Sequence, residues 1–225
     1  MCQIKTIKCG NVNCYSIINK NNCILIDTGT EKYREYLYNQ LKPFNITLII
    51  LTHGHKDHIG NAYYLSKQFN AKIAMNKNDI ALSKDNSIRP LYVDNYLGSV
   101  LLKKIMKENH EKTIEDFNVD IYLENNMSLA EYGFDCKVIS LEGHTNGSIG
   151  ILVNNTELIA GDTLTNIIKP SPSPLAEDFQ KLTKSIEVIN ELNVTTIYVG
   201  HGKSINAKKF FEKETQYVKN LNPFA

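Results

Sequence analysis

The chain has 225 residues, 42% of them hydrophobic and 22% charged, which is the make-up of an ordinary globular protein and excludes a disordered one. Its 25 basic and 24 acidic residues leave a net charge of +1, and no Lys/Arg-rich run provides a local field, so nucleic acid is excluded as the expected partner. No apolar run approaches transmembrane length, and the segment MCQIKTIKCGNVNCYSI lacks the apolar stretch of a signal peptide.

Five cysteines (Cys2, Cys9, Cys14, Cys23 and Cys136) include no CxxC pair. The expectation is free thiols in a cytoplasmic protein with no membrane association. The length suits one compact domain over residues 1–225.

In chain order, CYSIIN and CILIDTG are β-rich runs separated by Lys20, Asn21 and Asn22, which predicts a hairpin. Thr30 and Glu31 open a helical pattern through Tyr36, Leu37 and Leu41, and Pro43 stops it. ITLIILT follows as a strand apolar on both faces, and it runs straight into His53. After Gly60, NAYYLSKQF predicts a helix and AKIAM a strand. The stretch from about residue 85 to 118 breaks this rhythm. Its apolar stripe (Leu97, Val100, Leu101, Ile105) predicts a helical insertion or lid. SIGILVNNTELIAGDT then predicts a second hairpin around Asn154 and Asn155. A helix through Phe179, Leu182, Ile186, Ile189 and Leu192 follows, then the strand TTIYVG and His201 with Gly202.

The two halves match. ILIDTG aligns with LIAGDT, and LIILTHG with TIYVGHG. Each half reads hairpin, Asp-Thr, helix, strand, His-Gly. This predicts two mixed sheets facing each other with helices outside, and strand ends of both halves meeting at one edge, where ligand sites of layered α/β folds sit.

At that edge lies HGHKDHIG, with His53, His55, Asp57 and His58 in one turn. A metal-free protein has little reason to crowd three imidazoles. His53 and His55, two apart on an extended strand end, point to one side. Asp57 and His58, at the start of a helix, diverge toward a second point, which suggests two adjacent metal sites. Four residues cannot complete two sites of about four ligands each. The further candidates are His144 in LEGHTNGSIG, Asp162 in LIAGDTL and His201 in YVGHGKS, each beside glycine after a β-type run. Only His110, in the polar KENHEKT, stands apart.

HGHKDH together with His144, Asp162 and His201 resembles the H-x-H-x-D-H…H…D…H signature of the metallo-β-lactamase superfamily. Asp27 in LIDTG matches that family's first motif, a structural aspartate behind the site. The resemblance implies an αββα four-layer sandwich carrying a dinuclear centre. It implies that His53, His55 and His144 bind one divalent ion, that Asp57, His58 and His201 bind the other, and that Asp162 bridges both. Zinc is the expected metal; iron or manganese would suit the same ligands. The implied activity is attack of a bridging hydroxide on a small acyl substrate, with Asp57 orienting the nucleophile and shuttling a proton.

Departures from the pattern narrow the branch. Gly54 stands where Thr or Ser is commoner. Zinc β-lactamases usually carry cysteine in place of Asp162, lack a ligand like His58, and are exported. The set looks like the glyoxalase II-like and lactonase-like branches, with a thioester, ester or lactone as substrate. Glyoxalase II carries a helical C-terminal domain for glutathione, and here one helix (Lys208 to Lys219) follows His201, so the insertion with Tyr92, Tyr96 and Leu97 is the expected substrate lid. The alternatives are a phosphodiester hydrolase and an iron-dependent oxygenase of the persulfide dioxygenase kind.

Overall fold

Strand alternation decides the layering. In the computed structural model, which describes residues 1–93, 98–100, 102–103 and 115–213, the first half contributes β1 (Gln3–Cys9), β2 (Val12–Asn19), β3 (Asn22–Ile26), α1 (Arg34–Leu41) and β4 (Asn45–Ile50). It continues through α2 (Lys56–Ile59), α3 (Ala62–Phe69), β5 (Lys72–Met75), α4 (Ile80–Lys84), β6 (Tyr92–Val93) and β7 (Ile121–Tyr122). The second half contributes β8 (Cys136–Ser140), β9 (Ile149–Val153), β10 (Glu157–Ile159) and three two-residue strands, β11 (Leu164–Thr165), β12 (Ser171–Pro172) and β13 (Leu175–Ala176). The helix α5 (Phe179–Glu191) and strands β14 (Thr196–Tyr198) and β15 (Ile205–Asn206) follow.

One sheet has the order β1-β2-β3-β4-β5-β7, the other β15-β14-β10-β9-β8. On β3, Ile24 and Ile26 face the second sheet while Cys23 and Leu25 face the helices. On β4, Leu48 and Ile50 face inward while Ile49, with Leu51 just past the strand, packs on the outer side with Leu37, Leu41 and Leu65. This is the period of two expected of a pleated strand buried on both faces. The second sheet repeats it: Val138, Ile151, Val153 and Ile159 line the inter-sheet core, and Ile139, Leu152 and Leu158 pack with Ile189 of α5. The result is the expected αββα sandwich.

The two halves share a topology. β2 pairs antiparallel with β3, which pairs parallel with β4 across α1. β9 pairs antiparallel with β10, which pairs parallel with β14 across α5. In each half the parallel pair forces a helical crossover and delivers its strand ends to the same edge.

Some elements escape sequence reading. β1, with its exposed lysines, is an edge strand paired along its whole length to β2. β6 pairs with β13, inside the stretch read as a helical insertion. Residues 98–100 of that stretch are helical, while Tyr96, Leu97, Leu101, Ile105 and His110 lie outside the described residues. Residues 207–213 are helical, and the rest of the expected helix to Lys219 also lies outside them. Among the described residues no helix is long and apolar enough to cross a membrane.

Candidate metal centre

Five strand ends and loops converge at this edge. β3 runs into Asp27, β4 into Thr52 and His53, the β8–β9 connection carries His144, β10 leads to Asp162, and β14 leads to His201. Asp27 adopts a left-handed backbone, φ 58°, a region aspartate tolerates better than most residues. Its buried carboxylate accepts from Thr52 N at 2.8 Å and Thr52 Oγ1 at 2.9 Å, and it meets His58 Nδ1 at 2.8 Å. The bend after β3 is thereby tied to the turn that carries the histidines.

The seven residues singled out in the sequence come together. His53, His55 and His144 form one group, Asp57, His58 and His201 a second, and His53, His58 and Asp162 a third between them; the ligand atoms in each lie within 4.8 Å of one another. His144 Nε2 is 3.0 Å from His55 Nδ1. Asp162 lies in the middle: Oδ1 is 3.4 Å from His58 Nε2, and Oδ2 is 3.1 Å from His201 Nε2 and 3.7 Å from His144 Nε2. Asp57 Oδ2 is 3.4 Å from His201 Nε2 and 3.8 Å from His58 Nε2. Glycine permits the close approach of the two halves, since a methyl on Gly200 would run into Asp162 Oδ1 and His58 Cε1.

The far side of each ring is anchored. His144 Nδ1 donates to Leu175 O at 2.8 Å, and His201 Nδ1 to Asn11 O at 2.8 Å. A carbonyl only accepts, so Nδ1 carries a proton in both rings, and in His144, which burial keeps neutral, the Nε2 lone pair faces the cluster. Thr52 Oγ1 sits 3.0 Å from His53 Nδ1.

Charge is divided unevenly. Burial, and then the neighbouring imidazoles, hold His53 well below the usual histidine range and lower His55 to about 3. Burial also lowers His144. In the other group burial opposes the charged forms but is outweighed. Asp162, Asp27 and Asp57 raise His58, and Asp162 with Asp57 raises His201 to about 10. Reciprocally, His58 and His201 hold the Asp57 and Asp162 carboxylates below the ordinary range against the cost of burial.

Whether the cluster fits divalent ions is decided by its unpaired atoms. Five buried side-chain polar atoms lack a hydrogen-bond partner among the described residues, and three belong to the cluster: His53 Nε2, His58 Nε2 and Asp162 Oδ1. Buried polar atoms are normally paired, so three orphans converging in one place fit a cation. Imidazole and carboxylate donors suit zinc, iron and manganese alike.

Sequence reading missed a second layer. Buried Asp79 and half-buried Arg89 and Glu177 form a cluster behind His55 and His144. An acid in KND or LAED looks like any helix-capping residue. The available signal was Arg89 itself, one of only two arginines among 25 basic residues, because the planar fork of arginine suits paired carboxylates as lysine does not.

Comparison with known proteins agrees with this geometry. The family model described as the metallo-beta-lactamase superfamily matches residues 7–201. A probable metallo-hydrolase of Methanocaldococcus jannaschii is 31% identical over 198 residues, covering 85% of this chain and 87% of its own. The hydroxyacylglutathione hydrolase GloC of Haemophilus influenzae is 26% identical over 156 residues, covering 65% and 63%. A beta-lactamase-like protein 2 homolog of Caenorhabditis elegans is matched over only 57% of its length. Among solved structures, the BLEG-1 B3 metallo-beta-lactamase superposes with a TM-score of 0.72 at 22% identity, covering 93% of this chain and 97% of that one. TTHA1623 in a di-iron-bound form gives 0.64 at 21%, covering 92% and 95%. The family match spans both halves of the sandwich and every residue of the cluster from His53 to His201, and the chain belongs to the metallo-β-lactamase superfamily.

Proposed function

We propose that the chain is a metal-dependent hydrolase of small acyl compounds (thioesters, esters or lactones), working at a site for two divalent ions. The observation that carries this reading is the convergence of seven side chains around buried atoms that have no hydrogen bond. His53, His55 and His144 would hold one ion, and Asp57, His58 and His201 the other. Asp162, within 3.7 Å of His144 and 3.1 Å of His201, would serve both. Bound there, the ions would supply an activated water as nucleophile and positive charge for the oxyanion that develops on the attacked carbonyl.

Asp57 is the residue we assign to proton handling. While His58 and His201 carry protons, they hold its carboxylate ionised against the cost of burial. Its side chain, 39% exposed, reaches the rim and can take a proton from the nucleophile and return it to the leaving group. His201 Nε2 lies 3.4 Å from that carboxylate. Asp27 and the carbonyls of Leu175 and Asn11 hold the rings in place.

Balanced charge supports a small-molecule substrate over nucleic acid. The likeness to the Haemophilus influenzae hydroxyacylglutathione hydrolase supports a thioester within the acyl class. The test is a panel of thioesters, esters and lactones offered to the zinc-loaded chain. At least one compound should turn over; a fully loaded protein that hydrolyses none would overturn the acyl reading.

A second reading, an iron-dependent oxygenase acting on persulfides, draws on the same donor set and on the di-iron form of one structural neighbour. Metal content of freshly purified protein, paired with oxygen uptake on a persulfide, separates the two.

A further inference from the structure

Asp79 ends a 3-10 turn (Lys77–Asp79) ahead of α4, and none of its surface reaches solvent. A buried carboxylate is costly unless its lone pairs are filled. Here they are filled by four donors. Oδ2 accepts from Gly54 N at 2.9 Å and Thr145 Oγ1 at 2.6 Å. Oδ1 accepts from Gly147 N at 2.9 Å and Arg89 Nη2 at 2.6 Å.

The donors identify what this carboxylate joins. Gly54 lies between His53 and His55, and Thr145 follows His144. One side chain therefore grips both loops that carry the all-histidine group. A second line reaches the same place through Arg89, which also donates from Nη1 to Glu177 Oε2 at 3.0 Å. That oxygen accepts from Asn146 N at 2.9 Å, and the Glu177 amide donates to His144 O at 3.1 Å. None of these hydrogen bonds involves Asp57, His58 or His201.

The packing is as tight as the bonding. A methyl on Gly147 would lie 2.6 Å from Asp79 Cγ, and one on Gly54 would lie 2.9 Å from the Asp79 carbonyl oxygen. This gives Gly54 a reason to stand where the family more often has Thr or Ser. The loop is ordered by a carboxylate from outside it, and the carboxylate's segment leaves no room for a side chain.

We propose that Asp79, held by Arg89, which Glu177 holds in turn, is the positioning residue of the first metal site: it sets the spacing between the His53–His55 loop and His144 without touching the ion. The proposal rests on reading those three histidines as ligands. Outer partners of metal ligands typically change affinity by about 10- to 100-fold, and here the effect should fall on one site of two.

The test is titration of the full-length, metal-free chain with Co²⁺ and Zn²⁺, following Co²⁺ absorption and the affinity of each step. His144→Ala and His201→Ala supply the signatures of the second and first sites alone. Wild type should bind two ions. Asp79→Asn should weaken the first site about 10- to 100-fold and shift its Co²⁺ bands, with the second site unchanged. Glu177→Gln should act in the same direction but less, and Arg89→Lys should keep more of the affinity than Arg89→Met.

Variants that melt earlier yet keep both affinities and both spectra would reduce the cluster to a structural role and overturn the proposal. Equal weakening at both sites would also overturn it. If Asp79→Asn fails to fold, the Arg89 and Glu177 variants decide by the same criteria. A wild type that binds no ion would instead sink the reading of the histidines as ligands, a different result.

Discussion

Asp57 and His55 are two residues apart and differ in what surrounds them. His55 is half-buried among imidazoles and held neutral, its pKa lowered to about 3, whereas Asp57 faces His201 and the rim. Loss of the Asp57 carboxylate should therefore remove proton transfer and leave the all-histidine group standing. Asp57→Asn is expected to lower kcat by about 10²- to 10⁴-fold, the usual contribution of general acid–base catalysis, with the fold and one bound ion retained. Rates and metal content measured on one preparation check this, and full activity would refute the role. The cysteines give a second residue-scale outcome. Burial pushes Cys23 from 9.0 up to about 12, so its thiol should resist alkylation at pH 8 until denaturant is added. The raised folded value leaves stability intact below pH 9 and erodes it as pH climbs toward 12, because only the unfolded chain then releases the proton. Denaturant midpoints from pH 8 to 11 should fall less steeply in Cys23→Ala. At this scale the seven cluster residues were legible because histidine and aspartate next to glycine at strand ends are chemically conspicuous. Asp79, Arg89 and Glu177 were not, because their meaning lies in contacts between segments up to 98 residues apart (Asp79 and Glu177).

Elements in this protein are legible in proportion to their length and apolar periodicity. The hairpins β2–β3 and β9–β10, the buried strand β4 and the helix α5 all follow from pattern, and α5 opens on Asp178, whose side chain accepts from Gln180 N and Lys181 N. The two-residue strands β6, β11, β12 and β13 carry no such signal; their pairing is decided by the tertiary structure around them. α5 also shows how periodicity becomes stability. Ile189 is wholly buried against β9, β10 and β14, while its neighbour Val188 is 37% exposed. Ile189→Ala should cost about 2–5 kcal/mol in urea unfolding, and Val188→Ala about 0.5 kcal/mol or less. Equal costs would contradict the packing of this face.

On the scale of the whole molecule, the duplicated order of hairpin, crossover helix and parallel strand brings the loops of two halves to one edge. Neither half holds a complete site: His53, His55, Asp57 and His58 come from the first, His144, Asp162 and His201 from the second. The repeat was legible because Asp-Thr and His-Gly recur at matching strand ends. The predicted helical insertion was less so: Tyr92 and Val93 within it pair as a strand with β13, and much of the rest lies outside the described residues. Because the ions would link the two halves, their removal should loosen the whole sandwich: chelation is expected to lower Tm, and added zinc to restore it in a concentration-dependent way. The central claim, that the two halves jointly hold two metal ions, is tested most directly by the metal content of the purified full chain. Close to two ions per chain, falling to about one in His144→Ala and in His201→Ala, is the stoichiometry expected of a site built for two ions. A wild-type chain with no more bound metal than a variant lacking both histidines would contradict it.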